Sequence, residues 1–369
     1  MIHRRRFLQG SLCLAAGWLG PRLTYAQQAE LAWHDVTTWG VEGRGWESLE
    51  RKRYFDRLPA KAEGVVRKAV WDLSRHSAGM AVRFRTDAST IHIDYQLLNS
   101  NLAMPHMPAT GVSGIDLYGQ AGDGSMRWVE VVRPTNQHMK TVLVRGLDPG
   151  PRQYLMYLPL YNGVESLKIG VPAGSTFEPL APRNEKPILF YGTSIMHGAC
   201  ASRPGMAIPA LVGRRFQRPT INLGFSGNGR MEKEVAELLA DLDPEAYCID
   251  CLPNMNADLV RQRAAPLVRI LRAARPTTPI VLVEDRVFTN ASFFGSRRDH
   301  HKANHEALRE TFETLQKEGI KDLCYLPADE LLGNDGEGAT DGSHPNDLGF
   351  LRYARAYEKV LAPLIPPRP

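Results

Sequence analysis

Between residues 65 and 175 apolar and polar positions alternate with a period of two, and past residue 187 short apolar runs alternate with helical repeats. In the first part, residues 80–85, 90–95, 127–132, 141–144, 154–160 and 166–171 read as half-buried strands. Turn formers separate them, among them Gly119-Gln120-Ala121-Gly122-Asp123-Gly124 and Asp148-Pro149-Gly150-Pro151. Many short strands at near-regular spacing predict a β-sandwich. In the second part, strands are predicted at 188–191, 220–225, 247–252, 280–284 and 323–326. Helices are predicted between them at 206–216, 231–242, 257–274 and 301–318, with a last one at 347–364. Strands alternating with helices predict an α/β parallel sheet covered on both faces, with its chemistry at the C-terminal strand ends.

The chain has 369 residues, 43% hydrophobic and 23% charged, which is ordinary globular composition and enough for two domains. The formal charge of +5 is unevenly placed. Arg4, Arg5, Arg6 and Arg22 fall in residues 1–26, which hold no acid; the rest carries 41 basic against 40 acidic residues. A nearly neutral body gives no reason to expect nucleic acid or an anionic membrane as partner. Basic residues, an apolar stretch from Gly10 to Gly20 and then Thr24-Tyr25-Ala26 follow the order of an export signal, and Arg4-Arg5-Arg6-Phe7-Leu8, an Arg-Arg-x-Phe-Leu pattern, resembles the twin-arginine type. The expected organisation is a signal over 1–26, a β-sandwich over 27–182 and an α/β domain over 183–369, with a periplasmic or secreted location and no membrane contact after cleavage. Four cysteines remain beyond the signal, too few for a disulfide framework. Cys248 and Cys251 stand three apart in a predicted strand, on opposite faces, and read as buried structural residues rather than metal ligands.

Candidate chemistry collects at the predicted strand ends. Ser194 lies in Gly192-Thr193-Ser194-Ile195 after the first strand, and Asn222-Leu223-Gly224-Phe225-Ser226-Gly227-Asn228-Gly229 follows the second. Asn254 follows the third, and Asp341-Gly342-Ser343-His344 precedes the last helix. Each fragment alone is common. Serine, glycine, asparagine and Asp-x-x-His in this order resemble the blocks of the SGNH (GDSL-like) hydrolases over residues 186–365. The third block departs from the usual Gly-x-Asn-Asp, reading Leu252-Pro253-Asn254-Met255. Gly114-Ile115-Asp116-Leu117-Tyr118 resembles the Gly-x-Asp-Leu-Tyr motif of the β-domain paired with such hydrolases.

The resemblance implies a three-layer SGNH fold, with a flavodoxin-like parallel sheet, beside a jelly-roll-like β-sandwich. It implies a Ser194–His344–Asp341 triad, and an oxyanion hole from the Ser194 and Gly227 backbone N–H groups and the Asn254 amide, with no metal or cofactor. His197 and Arg203 are candidate substrate contacts; packing is the competing reading for both. His300, His301 and His305 form a possible metal face, though polar histidines at a helix start are commoner. Asp116 and Tyr118 read as structural or docking residues, and Trp33, Trp39 and Trp46 as core, interface or sugar-stacking ones. The expected activity is an exported serine esterase acting on acylated carbohydrate or another small ester, with acetyl as the expected acyl group. An acyltransferase with the same triad, and a carbohydrate-binding protein with an inactive hydrolase domain, stay open, as does the oligomeric state.

Overall fold

The computed structural model describes residues 30–365; the segment expected to be an export signal, residues 1–26, lies outside them. The N-terminal half contains β1 (Leu31–Asp35), α1 (Lys68–Ser74), β2 (Ala81–Thr86), β3 (Thr90–Leu97), α2 (Ala109–Val112) and β4 (Asp116–Gln120). It continues through β5 (Met126–Val131), β6 (His138–Arg145), β7 (Arg152–Tyr157), β8 (Val164–Pro172) and β9 (Phe177–Leu180). These strands form two antiparallel sheets, in the orders β1-β8-β3-β6 and β5-β4-β7-β2-β9. Alternate residues of both sheets, including Phe84, Ile93, Tyr95, Leu117, Met156 and Ile169, fill one core between them. The alternation in the sequence is thus the inward face of a sandwich. β1, β9 and the strand carrying Asp116 have no clean period-two signature, and only the pairing supplies them.

The second half contains β10 (Ile188–Gly192), α3 (Ser194–His197), α4 (Ile208–Arg215), β11 (Thr220–Gly224), α5 (Lys233–Ala240) and β12 (Ala246–Asp250). After these come α6 (Ala257–Ala274), β13 (Ile280–Val283), α7 (Gly295–Lys317), β14 (Leu323–Leu326) and α8 (Asp347–Leu361). The five strands are parallel in the order β11-β10-β12-β13-β14, and β10 to β13 are buried along their whole length. Such continuous burial is what a sheet with helices on both faces requires. α4 and α8 cover one face, α5, α6 and α7 the other. Cys248 packs into the first core and Cys251 into the second, and both are free thiols. No helix among the described residues is long and apolar enough to cross a membrane.

The cores do not divide where the periodicity changes. Trp46, Leu58, Ala62, Val66, Val70 and Trp71 share a core with Leu223, Phe225 and Val260 of the α/β sheet. Residues 46–71 therefore clothe the parallel sheet, although they lie between β1 and β2 of the sandwich. The Trp46 indole donates to the Leu238 carbonyl at 3.2 Å.

The strand order reverses between β10 and β12, where helices leave to opposite faces and a crevice opens at the C-terminal edge. Asp250 ends β12 at this point, fully buried, accepting from the Tyr357 hydroxyl at 3.0 Å. Burial pushes its carboxyl up to about 7, against that hydrogen bond. In the open chain the same group titrates near 4. Its contribution to stability is therefore complete below about pH 4 and is lost as pH rises through about 7. Asp250→Asn is expected to flatten this decline. Urea denaturation should show the variant gaining on the wild type between pH 5 and pH 8; a constant difference would contradict it.

Candidate active site

Ser194 opens the single-turn helix α3 two residues after β10, with Thr193 as N-cap accepting from the Ile195 N–H. The turn is tight because glycines let the chains approach. A Cβ on Gly224 would lie 2.1 Å from the His197 nitrogen, and one on Gly229 would lie 2.0 Å from the Gly192 carbonyl oxygen. Neither position admits a side chain, so the glycines of the second block fix the backbone beneath and beside Ser194.

The 341–346 turn brings the other polar groups to the same edge. Ser194 Oγ stands 2.8 Å from His344 Nε2, and His344 Nδ1 stands 2.7 Å from Asp341 Oδ2. Asp341 Oδ1 also accepts the backbone N–H groups of Ser343 and His344, at 2.9 and 2.8 Å. Partial burial disfavours charge on this carboxyl, but the His344 and Ser343 bonds outweigh it and hold it at about 2. An ionised Asp341 keeps the proton on Nδ1, so Nε2 faces Ser194 as an acceptor. The histidine and aspartate side chains are 27% and 44% exposed, so the site is an open edge rather than a tunnel.

Gly227 lies three residues past β11 in the left-handed region at φ +70, exposed, with nothing within 4 Å of where a Cβ would stand. Asn254 ends the short turn Leu252–Asn254 after β12; its Oδ1 is buried and meets no hydrogen-bond partner. Ser194, Gly227 and Asn254 thus follow three neighbouring strands whose ends are paired at Gly192, Gly224 and Asp250.

Behind the turn, Arg286 donates to the Ser343 carbonyl at 3.1 Å and to its hydroxyl, and pairs with buried Asp285. His301 Nδ1 is 3.1 Å from Asp285, and its Nε2 accepts from the Phe288 N–H. Both of its nitrogens are engaged, which makes His301 part of this brace. Arg57, fully buried, donates to the Asn222 and Gly224 carbonyls at 3.0 and 2.8 Å and pins the end of β11 from the N-terminal side. Burial without a carboxylate partner pulls its guanidinium down to about 9. Arg57 has no sequence signal, because its acceptors are backbone carbonyls, those on β11 far along the chain.

The two candidate substrate contacts are taken up by partners within the protein. His197 has no exposed surface: its Nε2 meets the Leu160 carbonyl at 2.7 Å and its ring stacks on Tyr161, centroids 4.1 Å apart. Burial, with Arg57 and His76 nearby, drives its pKa well down, so it is a neutral clamp between the domains. Arg203 turns away to the β-domain, donating to Asp116 at 3.1 Å and to the Tyr118 hydroxyl. Asp116 and Tyr118 are thus docking residues. Of the tryptophans, Trp39 donates to the Arg83 carbonyl, Trp46 joins the α/β core, and Trp33 packs against Gly170.

Comparison with known proteins agrees with this architecture. Residues 185–362 match the model of the GDSL-like lipase/acylhydrolase family, and residues 31–177 match that of the GxDLY N-terminus of SGNH-hydrolase-type esterases. A GDSL-like lipase from Bacteroides ovatus is 34% identical with a TM-score of 0.85, over 91% of this chain and 98% of that one. A salicylyl-acyltransferase from a tetracycline biosynthetic pathway is 19% identical with a TM-score of 0.69, over 88% and 94%. A family two carbohydrate esterase from Cellvibrio japonicus is 13% identical with a TM-score of 0.59, over 91% and 98%. No match was found among curated proteins. With both halves matched in sequence and 91% of the chain matched in structure, the protein belongs to the GDSL-like (SGNH) acylhydrolases that carry a GxDLY-type N-terminal domain.

Proposed function

We propose that this acylhydrolase is an exported serine esterase that removes O-acyl groups, acetyl above all, from carbohydrate. The observation that carries the reading is the continuous line from Ser194 Oγ through the His344 ring to Asp341. In this reading His344 takes the Ser194 proton as Oγ attacks the ester carbonyl, and returns it to the leaving alcohol oxygen. Asp341 steadies the imidazolium without taking the proton itself. Water, activated by the same histidine, then releases the acyl group as the acid.

Negative charge on the attacked oxygen is met by the Ser194 and Gly227 N–H groups and the Asn254 side-chain N–H. Asn254→Ala is expected to lower kcat by roughly 10²–10³-fold with little change in KM, measured on p-nitrophenyl acetate. A wild-type kcat would remove Asn254 from the oxyanion hole.

Carbohydrate as the alcohol half of the ester is supported by the open edge at His344 and Asp341, by the likeness to the Cellvibrio esterase and by the expected export signal. Acetate release from a panel of acetylated polysaccharides tests the assignment. A second reading, transfer of the acyl group to an alcohol instead of water, is supported by the likeness to the salicylyl-acyltransferase. It predicts that added alcohol diverts most of the acyl group from acid to new ester. Release from small esters alone would leave carbohydrate unsupported.

A further inference from the structure

The N-terminal domain reaches the reacting groups at one place. In Met104-Pro105-His106-Met107-Pro108, the Met104 N–H donates to the Met107 carbonyl at 3.0 Å and the Met107 N–H donates back at 3.1 Å. This closes a two-residue turn, with Pro105 presetting its first central position. Met107 is buried in the core formed with Phe350 and Tyr353 of α8, and Pro108 caps α2. Further on, Thr110 donates to the Ser202 carbonyl at 2.6 Å, and a Cβ on Gly111 would lie 2.3 Å from the Ala201 carbonyl oxygen. Ser202 in turn donates its N–H to Asp347 at 3.0 Å, three residues after His344. The turn and the histidine therefore stand on one braced frame.

At the tip, His106 is exposed and makes no hydrogen bond within the described protein. Its ring centroid lies 6.3 Å from that of His344, with the planes 30° apart. An imidazole held on a rigid turn, with no structural partner, beside the base is placed for a ligand.

We infer that His106 contacts the alcohol half of the ester and selects among alcohols, an inference that rests on Ser194 and His344 acting as proposed above. The side of the site follows from the chemistry. His344 hands its proton to the leaving alcohol oxygen, so the alcohol sits beside the His344 ring. The oxyanion groups come instead from the backbone of Ser194 and from the segments after β11 and β12. His106 offers that alcohol a ring face and two nitrogens, one donor and one acceptor when neutral.

The test compares the wild type, His106→Ala and His106→Gln on acetate esters of different alcohols, including p-nitrophenyl acetate and acetylated methyl xyloside, and on p-nitrophenyl butyrate. His106→Ala is expected to change relative kcat/KM among the acetates by about tenfold, the effect of one lost contact, while leaving the acetate-to-butyrate ratio within about twofold. His106→Gln, which keeps a donor and an acceptor, is expected to restore part of the selectivity. The melting temperature should not move, since the side chain is exposed. An unchanged ranking of acetates, or a shift in acyl-length preference instead, would overturn the role of His106 while Ser194-dependent turnover stood. If the wild type cleaved none of the esters in a Ser194-dependent way, the esterase reading would fall and this inference with it.

Discussion

Replacing Ser194 by alanine is expected to lower kcat/KM for p-nitrophenyl acetate by roughly 10⁴–10⁶-fold, the loss typical of a serine nucleophile. The fold gives no reason for a stability cost. Ser194 opens α3, where alanine is well tolerated, and its hydroxyl meets His344 and no other side chain. The backbone of the turn is set by Gly224 and Gly229, which the substitution leaves alone. A nearly unchanged unfolding midpoint beside lost turnover is thus the expected pair of readings. Because the two side chains act as one unit, Ser194→Ala/His344→Ala should be little worse than Ser194→Ala alone. Asp341→Asn should cost about 10⁴-fold, since an amide no longer fixes the His344 tautomer. Wild-type turnover in Ser194→Ala would show that the line of hydrogen bonds is not the reacting one.

Much of this site was legible because its parts are local. The Gly-bounded serine turn, the glycine turn and the Asp-x-x-His turn each occupy a few consecutive residues, and helix and strand periods place them on one sheet edge. Their assembly across 150 residues was legible only through the order of the blocks. Properties set by distant partners were not legible. His197 stands three residues from Ser194, yet its environment comes from Leu160 and Tyr161 on the other domain. Arg203 follows the nucleophile turn, yet its acceptor is Asp116. Residues 46–71 lack a period of either kind, because they lie irregularly over a finished sheet and are buried by shape rather than by repeat. For His106 a signal did exist: a histidine between two methionines with prolines at both ends is a stiff turn with one polar tip.

The docking of the two domains rests on a group whose loss should be felt throughout the chain. Asp116 has no exposed surface; its Oδ2 accepts from the Gly205 N–H at 2.7 Å and from Arg203 at 3.1 Å, and its Oδ1 accepts from the Trp128 indole at 3.1 Å. Gly205 is required there, because a Cβ would lie 2.4 Å from the Tyr118 ring and 2.8 Å from the carboxylate. Asp116→Ala would leave a guanidinium only 20% exposed without its carboxylate, and two N–H donors without an acceptor. The expected loss is about 3–5 kcal/mol, read by urea denaturation. Most of that cost is the stranded cation, so Asp116→Ala/Arg203→Met should be more stable than the single variant. Methionine keeps apolar contact with the Tyr118 and Trp128 rings, over which the guanidinium now lies. If the double variant were instead as unstable as the single one, the carboxylate's bonds to Gly205 and Trp128 would be what holds the domains together. Either way Ser202, next to Arg203, links this contact to Asp347 at the start of α8, so a loosened seam should also lower kcat through the position of His344.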